Sequence, residues 1–166
     1  MTRWFLALVL ATGPGLLSGC YSFRGGSVAS HLKTIAIPLF DDQSGSAEPG
    51  LREKFTNKLI DRFRQDNSLE VTDKTRSDSV IEGIIISLVD DPYVVVQGES
   101  VTQRKVTIAV KATYRDAKLN KQVWDKQLSN WGTYELGGGA EQRLAGIDAA
   151  IDKLTEDILN ETVSSW

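Results

Sequence analysis

The sequence predicts an α+β two-layer sandwich in which one mixed sheet of four or five strands carries two helices on one face. Two amphipathic helices and a long stretch of alternating hydrophobic and polar residues indicate this class. The elements follow in the order β-α-β-β-β-β-α, so the first helix can connect two parallel strands. Because both helices cover one face, the opposite face is predicted to meet either solvent or a partner.

The chain opens with the pattern of a lipoprotein signal peptide. Residues 1–3 carry a positive charge, and the apolar run at 4–17 is shorter than the about 20 residues that span a bilayer. Leu-Ser-Gly-Cys then matches a lipobox at all four positions. Cys20 is the only cysteine, so it can form no disulfide within the chain. Residues 1–19 are therefore predicted to be removed, leaving Cys20 acylated.

The mature chain is predicted to be one domain on a short lipidated tether. Residues 20–32 contain two adjacent glycines and several serines, which is typical of a linker, and the domain is expected to occupy 33–166. Roughly 147 residues follow the signal peptide, a suitable size for a single core. Tyr21 follows the cysteine where aspartate would retain a lipoprotein at the inner membrane. By resemblance to the enterobacterial sorting rule, this favours a cell outer-membrane location.

The first half of the domain is predicted to contain a strand, a turn and a helix. Residues 33–40 form an apolar strand, and the polar residues 41–45 turn the chain. A helix is expected over 49–67, because hydrophobic residues recur at every fourth position. They are Leu51, Phe55, Leu59 and Phe63.

Four further strands and a final helix are expected in the second half. The strands are predicted at 69–71, 80–89, 101–115 and 122–131, with residues 90–92 ending the second of them. The strand at 101–115 shows a clean alternation, which indicates a half-buried antiparallel strand. One face carries Val106, Ile108, Val110, Ala112 and Tyr114, and the other carries the mostly polar Thr107, Lys111, Thr113 and Arg115. Trp124 and Trp131 are seven residues apart and should therefore lie on opposite faces of the strand. One is expected in the core, and the other either at the rim or in contact with a partner.

Three adjacent glycines, residues 137–139, are predicted to form a flexible hinge before the last helix, residues 141–163. The hydrophobic seam of that helix is Leu144, Ile147, Ile151, Leu154 and Ile158. The predicted core includes Ile35, Ile37, Leu59, Phe63, Ile108, Val110, Ile151 and Leu154.

Composition argues against several functions. The formal net charge is −3 and both signs are interspersed, whereas nucleic-acid-binding proteins have a basic stripe. His31 is the only histidine and is expected at the surface, which leaves no base for a serine nucleophile. The carboxylate pairs at 41–42 and 90–91 fall in turns without calcium-loop spacing. No enzyme activity, metal or cofactor is expected.

Exposed basic residues are the strongest candidates for ligand binding. Arg104 and Lys105 begin the alternating strand, and Lys118 and Lys121 flank the tip of the following hairpin. These four cations can meet at one end of the sheet only if strand length places them there. A solvated surface is the alternative interpretation.

Several short motifs resemble the lipopolysaccharide-assembly lipoprotein family (LptE-like). They are the lipobox, Cys-Tyr-Ser-Phe at 20–23, Lys-Thr-Ile-Ala-Ile-Pro at 33–38, Pro-Gly-Leu-Arg-Glu at 49–53, Ser-Val-Ile-Glu-Gly at 79–83, Tyr-Arg-Asp at 114–116 with Trp124, and the terminal helix ending at Trp166. The resemblance implies a non-enzymatic protein that helps to assemble, and plugs, the outer-membrane β-barrel that translocates lipopolysaccharide. It also implies contact with lipopolysaccharide, whose phosphates are then expected at Arg104, Lys105, Lys118 or Lys121.

A second class of protein remains open from the sequence. Accessory lipoproteins that activate a periplasmic cell-wall synthase, or that form part of a secretion apparatus, also begin with a strand similar to Ile-Ala-Ile-Pro-Leu-Phe at 35–40. The long hairpin over 101–131 and the terminal helix favour the lipopolysaccharide-assembly family.

Overall fold

The computed structural model describes residues 28–93 and 103–164. In these ranges the elements are β1 Thr34–Ala36, β2 Asp41–Asp42, α1 Leu51–Asp66, β3 Glu70–Val71, β4 Ser79–Pro92, β5 Gln103–Asp116, β6 Lys121–Glu135 and α2 Gly139–Ser164, with a short 3-10 helix at Leu136–Gly138 before α2. The signal peptide and Cys20 lie outside the described residues, as does Trp166.

All six strands form one mixed sheet, and the predicted α+β two-layer class is confirmed. The strand order is β3-β1-β4-β5-β6, and β2 lies beside β4. Strand β1 is parallel to both β3 and β4, while β4, β5 and β6 are antiparallel. Helix α1 is the parallel crossover between β1 and β3, as the order of elements predicted.

The predicted first strand, residues 33–40, is divided into two short strands. Pairing with β4 stops at Ala36 and resumes at Asp41, which lies opposite Ile84. Pro38 lies between them and has no backbone N–H to donate to a ladder. The expected turn over 41–45 is therefore wrong at its first two residues, because they form β2 before the chain turns.

Strand β4 also continues further than predicted. Residues 90–92 were expected to end it, yet they pair with β5 as far as Pro92 opposite Arg104. Proline is tolerated there because it is the last residue of the strand. Strand β6 likewise continues to Glu135, so the β5–β6 hairpin is longer than the sequence pattern indicated.

The helices pack side by side on one face of the sheet and enclose the core. All eight residues predicted for the core are buried: Ile35, Ile37, Leu59, Phe63, Ile108, Val110, Ile151 and Leu154. Salt bridges from Lys54 to Asp148 (2.9 Å) and from Arg62 to Asp152 (2.6 Å) connect α1 with α2. The prediction that both helices cover the same face is therefore confirmed.

The start of α2 differs from the prediction. The glycines at 137–139 are not a separate hinge, because residues 136–138 form the 3-10 helix and α2 begins at Gly139. Leu144 is 40% exposed, so its placement in the buried seam was wrong. The buried face of α2 begins at Gly146, where the helix first approaches β6, and Leu144 precedes that contact.

The segment before β1 is part of the packed structure. Leu32 is buried, and Val28 and Ala29 pack against the core, although residues up to 32 were assigned to the tether from the sequence. No helix among the described residues is both long and apolar enough to cross a membrane.

Candidate functional site

The face of the sheet opposite the helices is the candidate site. Strands β4, β5 and β6 form it, and the side chains of β5 that point there are mostly polar, including Thr107, Lys111, Thr113 and Arg115. Their neighbours Val106, Ile108, Val110, Ala112 and Tyr114 are buried under the helices, as the alternation predicted. The helix-free face is thus a solvated, polar surface in this chain.

A groove of about 500 Å³ lies on this face near the tip of the β5–β6 hairpin. Its polar lining includes Lys111, Thr113 and Arg115 from β5, Glu82 from β4 and Asp125 from β6. A second hollow of about 210 Å³ shares some of these residues and adds Lys74. The basic residues of the groove and the adjoining hollow (Lys74, Lys111 and Arg115) are called the groove cations below.

The groove cations differ in how strongly they are paired. Lys74 forms a salt bridge with Glu82, and Lys111 lies 3.8 Å from Asp125. Arg115 donates a 2.9 Å hydrogen bond to Asn120 and has no ion pair among residues 28–93 and 103–164. A guanidinium has five N–H donors, so Arg115 retains capacity for a phosphate or carboxylate.

The four basic residues predicted from the sequence are not brought together. Arg104 and Lys105 lie at the start of β5, while Lys118 and Lys121 lie beyond its end. Strand β5 has 14 residues, and at about 3.3 Å per residue the two pairs are about 40 Å apart. A phosphate contact at any one of them stays a prediction, but the four cations do not form one cluster.

Arg104 is committed to an ion pair on the helix-bearing side of the sheet. Its Nε donates to Asp90 Oδ1 at 2.7 Å, and the same carboxylate accepts hydrogen bonds from Tyr134 and Arg143. Burial acts to raise the pKa of Asp90, but the hydrogen bonds from Arg104 and Tyr134 outweigh it and hold that pKa below its ordinary value. Arg143 also pairs with Glu48, which fixes the start of α2.

Lys118 is also engaged, because it fastens the hairpin tip to the start of β1. Its Nζ lies 2.9 Å from Asp78 Oδ1 and donates to the carbonyl oxygen of His31 at 2.7 Å. The backbone N–H of Lys33 donates to the same Asp78 carboxylate at 2.7 Å. These contacts lower the pKa of Asp78 to about 2, the side-chain hydrogen bond from Lys118 being the largest cause.

Asp78→Asn should therefore lower the free energy of unfolding at neutral pH. It should also make that free energy depend less on pH in the acid range. When the pKa of a carboxylate is lower in the folded state than its unfolded value of 3.8, its ion pairs stabilise the fold fully at any pH above that value. The contribution is lost as the pH falls through about 2. Urea titrations should show a lower free energy of unfolding than wild type at pH 7, and the difference should narrow towards pH 2.

The control is Asp61→Asn, an exposed change on α1, which should alter the free energy of unfolding little. If Asp78→Asn lowered that free energy equally at both pH values, the ionic role of Asp78 would be contradicted.

Sequence reasoning found only part of the site. Lys111 and Arg115 were recognised as residues of the polar face, yet their groove was not foreseen. Lys74 follows the short strand β3 and has no periodic pattern, so only the fold brings it beside Glu82. Lys105 and Lys121 have no ion pair within the described part of the chain, and both stay candidates for binding.

An aromatic pair occupies the other end of the helix-free face. Tyr93 and Trp131 lie with their ring centroids 5.5 Å apart, and the ammonium group of Lys153 lies 4.4 Å from the Trp131 ring. Trp124 is buried beside Tyr114, whereas Trp131 is partly exposed. The expectation that the two tryptophans lie in different environments is confirmed.

The fold and this surface define an α+β binding domain with one uncovered sheet face. The chain belongs to the LptE lipopolysaccharide-assembly family, whose model matches residues 32–162. Membership makes it a non-catalytic lipoprotein with a role in lipopolysaccharide assembly, and implies an outer-membrane location. The family resemblance in the sequence motifs is thereby confirmed.

Solved structures of other bacterial proteins share the fold at low sequence identity. A Xanthomonas campestris protein is 11% identical with a TM-score of 0.61, over 84% of this chain and 91% of that one. A minor lipoprotein from Acinetobacter baumannii is 11% identical with a TM-score of 0.52, over 78% and 91%. The rare lipoprotein B from Shewanella oneidensis is 14% identical with a TM-score of 0.50, over 76% and 92%. A comparison with curated protein sequences gives no match.

Proposed function

We propose that this lipoprotein, anchored through Cys20 in the outer membrane, helps to assemble and plugs the β-barrel that translocates lipopolysaccharide. It contacts lipopolysaccharide during transport to the cell surface. The observation that carries this proposal, beyond family membership, is the polar, helix-free sheet face. The lumen of a wide outer-membrane barrel is polar, so a plug needs polar contacts and a few aromatic anchors rather than a large apolar surface.

Both kinds of contact are available on the helix-free face. Thr107, Lys111 and Thr113 offer hydrogen-bonding groups along β5, and Trp131 with Tyr93 offers an aromatic anchor at the far end. Tryptophan and tyrosine are enriched among the residues that contribute most of the binding energy of protein interfaces. Polar groups together with an aromatic anchor on this face support a β-barrel partner whose inner wall is polar.

Lipopolysaccharide carries phosphates, and the groove cations are suited to them. Arg115 has donors not used by an ion pair among the described residues, and Lys111 lies on the same face with Thr113 between them. The partly buried Lys105 and the exposed Lys121 are additional cations. Arg104 and Lys118 must break existing ion pairs before they can bind phosphate, so they are weaker candidates than the sequence suggested.

The double variant Lys111→Glu/Arg115→Glu should weaken binding of lipopolysaccharide at least about tenfold, because each charge-assisted hydrogen bond contributes about 1.5–3 kcal/mol. Binding of the wild type should also weaken as salt is added. The measurement is a titration of purified protein with lipopolysaccharide micelles, with circular dichroism to verify the fold.

A matched control is available on the helix side of the domain. Arg52→Glu/Arg64→Glu makes the same change in net charge at two exposed positions of α1. The control should bind almost as well as the wild type. Equal losses in the two double variants would mean that net charge alone governs binding, and no loss in either would place the phosphate contact elsewhere, with Lys105→Glu/Lys121→Glu as the next pair.

A further inference from the structure

Strand β6 is the last strand of the sheet, so one of its sides has no neighbouring strand. The pairing with β5 identifies which residues direct their backbone groups to that side, called the outer edge below. Gln103 accepts a hydrogen bond from the N–H of Tyr93 and so turns its backbone away from Glu135, its partner on β6. Such pairs alternate with hydrogen-bonded pairs in an antiparallel ladder. The backbone groups of Glu135 and of every second residue before it therefore point to the outer edge.

Contacts with helix α2 close the outer edge near Trp131 and Thr133. The ammonium group of Lys153 donates to the carbonyl oxygen of Trp131 at 2.9 Å, and the N–H of Trp131 donates to Asn130 Oδ1 at 2.9 Å. A Cβ atom on Gly146 of α2 would lie 3.6 Å from the carbonyl oxygen of Thr133. The backbone groups that a further strand needs are therefore occupied or covered in this half of the edge.

The other half of the outer edge, at Asp125, Gln127 and Ser129, is open. All three residues are exposed. In the part of the chain that the structure describes, no side chain donates to or accepts from their backbone groups, and they make no backbone contact outside the sheet. A row of unpaired N–H and carbonyl groups is a template for one more strand. These three residues are called the open edge.

The open edge borders the helix-free face of the sheet. Asp125 lies opposite Thr113, and Gln127 lies opposite Lys111, so the side chains of both are on the helix-free face while their backbone groups point outward. Asp125 also lines the groove on that face. A partner that covers the helix-free face can therefore pair with the open edge at the same time.

A second copy of this chain does not suit the open edge. Two antiparallel β6 strands would place both α2 helices side by side on one face of the joined sheet. Helix α2 directs two carboxylates towards β6, where Asp157 accepts from Asn130 and Glu161 pairs with Lys126. These carboxylates from the two copies would approach one another, and like charges that face each other are destabilising. The open edge therefore favours a different chain.

We propose that the open edge of β6 pairs with an extended segment of the barrel protein, which adds a further strand to the sheet. The inference rests on the proposed function, because it takes the barrel protein as the partner. The strands of a closed barrel already pair with each other, so this segment lies outside the wall, as does a loop folded into the lumen. Main-chain hydrogen bonds supply the affinity, and the capped backbone of Trp131 ends the pairing.

Hydrogen exchange measured at single amides of the full acylated chain tests this pairing. The amides of Asp125, Gln127 and Ser129 should exchange rapidly in the isolated protein. In the barrel complex captured from outer membranes they should exchange at least about tenfold more slowly. Lys126 and Leu128 are the internal control, because their amides point to β5 and should be protected in both samples.

Two substitutions at one position separate the backbone from the side chain. Gln127→Pro removes an outward N–H and places a ring where the added strand would lie, but it removes no hydrogen bond to β5. Gln127→Thr changes the side chain and keeps the N–H. Recovery of the barrel protein should fall at least about fivefold with Gln127→Pro. It should be nearly unchanged with Gln127→Thr, and circular dichroism should show that both variants are folded.

The possible failures are distinguishable. If the wild type captures a barrel but the three amides exchange as rapidly in the complex as in the isolated protein, the edge pairing is overturned and the proposed function stands. Folded Gln127→Pro that captures as much barrel as Gln127→Thr has the same meaning. Amides already protected in an isolated protein that sediments as a dimer would assign the edge to a second copy instead. A wild type that captures no barrel overturns both proposals.

Discussion

Gly132→Ala is expected to lower the free energy of unfolding by about 3 kcal/mol or more, at the upper end of the cost of overpacking. A Cβ atom at this position of β6 would overlap the carbonyl oxygen of Gly146 and lie 2.9 Å from Ala149 Cβ. The nearest atoms are the backbone of Gly146 and the short side chain of Ala149, so no flexible side chain is there to move aside. Helix α2 would have to separate from the edge of the sheet, and domains of this size are stable by only about 5–15 kcal/mol.

The control for this experiment is a glycine with free space around it. Gly137 has nothing within 4 Å of an added Cβ, so Gly137→Ala should change stability little. Urea titration of both variants measures the difference. A cost below about 1 kcal/mol for Gly132→Ala would show that α2 does not approach β6 as closely as the structure has it.

Leu154→Ala should cost about 2–5 kcal/mol, because Leu154 is 0% exposed and lies among other core residues of α2 and the sheet. The range depends on how far the surroundings can close the resulting cavity. Leu144→Ala, on the same helix but exposed, should cost less than about 1 kcal/mol. If the two variants were equally destabilised, the buried face of α2 would be assigned incorrectly.

The regular elements were predictable because each has a periodic pattern. The fourfold spacing of Leu51, Phe55, Leu59 and Phe63 identified α1, and strict alternation from Val106 to Tyr114 identified β5 with its buried face. Such patterns report which side of an element is buried, and therefore also that one sheet face lacks a helix.

Features that depend on a single residue or on distant contacts were not predictable. Two acidic residues form β2 only because the chain passes beside β4 after Pro38. Leu144 fits the helical seam, but it precedes Gly146, where the buried face of α2 begins. The periodic pattern shows which face of a helix is apolar. It does not show over which residues that face contacts the adjacent strand.

The pairing of the candidate cations was not predictable from the sequence. Arg104 and Lys118 were identified as exposed cations from their positions in the chain, yet each has a carboxylate partner far away in sequence, Asp90 and Asp78. Arg115 was seen only as a polar-face residue, although it is the groove cation without an ion pair among the described residues. Pairing of surface charges is decided by tertiary structure, so it cannot be inferred from a single strand.

Affinity capture from detergent-solubilised outer membranes tests the central claim most directly. The bait is the full chain with a tag after Trp166, expressed in the cells of its origin and purified with its acyl anchor. We predict that one outer-membrane β-barrel protein co-purifies in near-equal amount and that lipopolysaccharide accompanies the complex. Recovery of a periplasmic cell-wall synthase or a secretion component, with no barrel, would contradict the claim and favour the accessory-lipoprotein alternative.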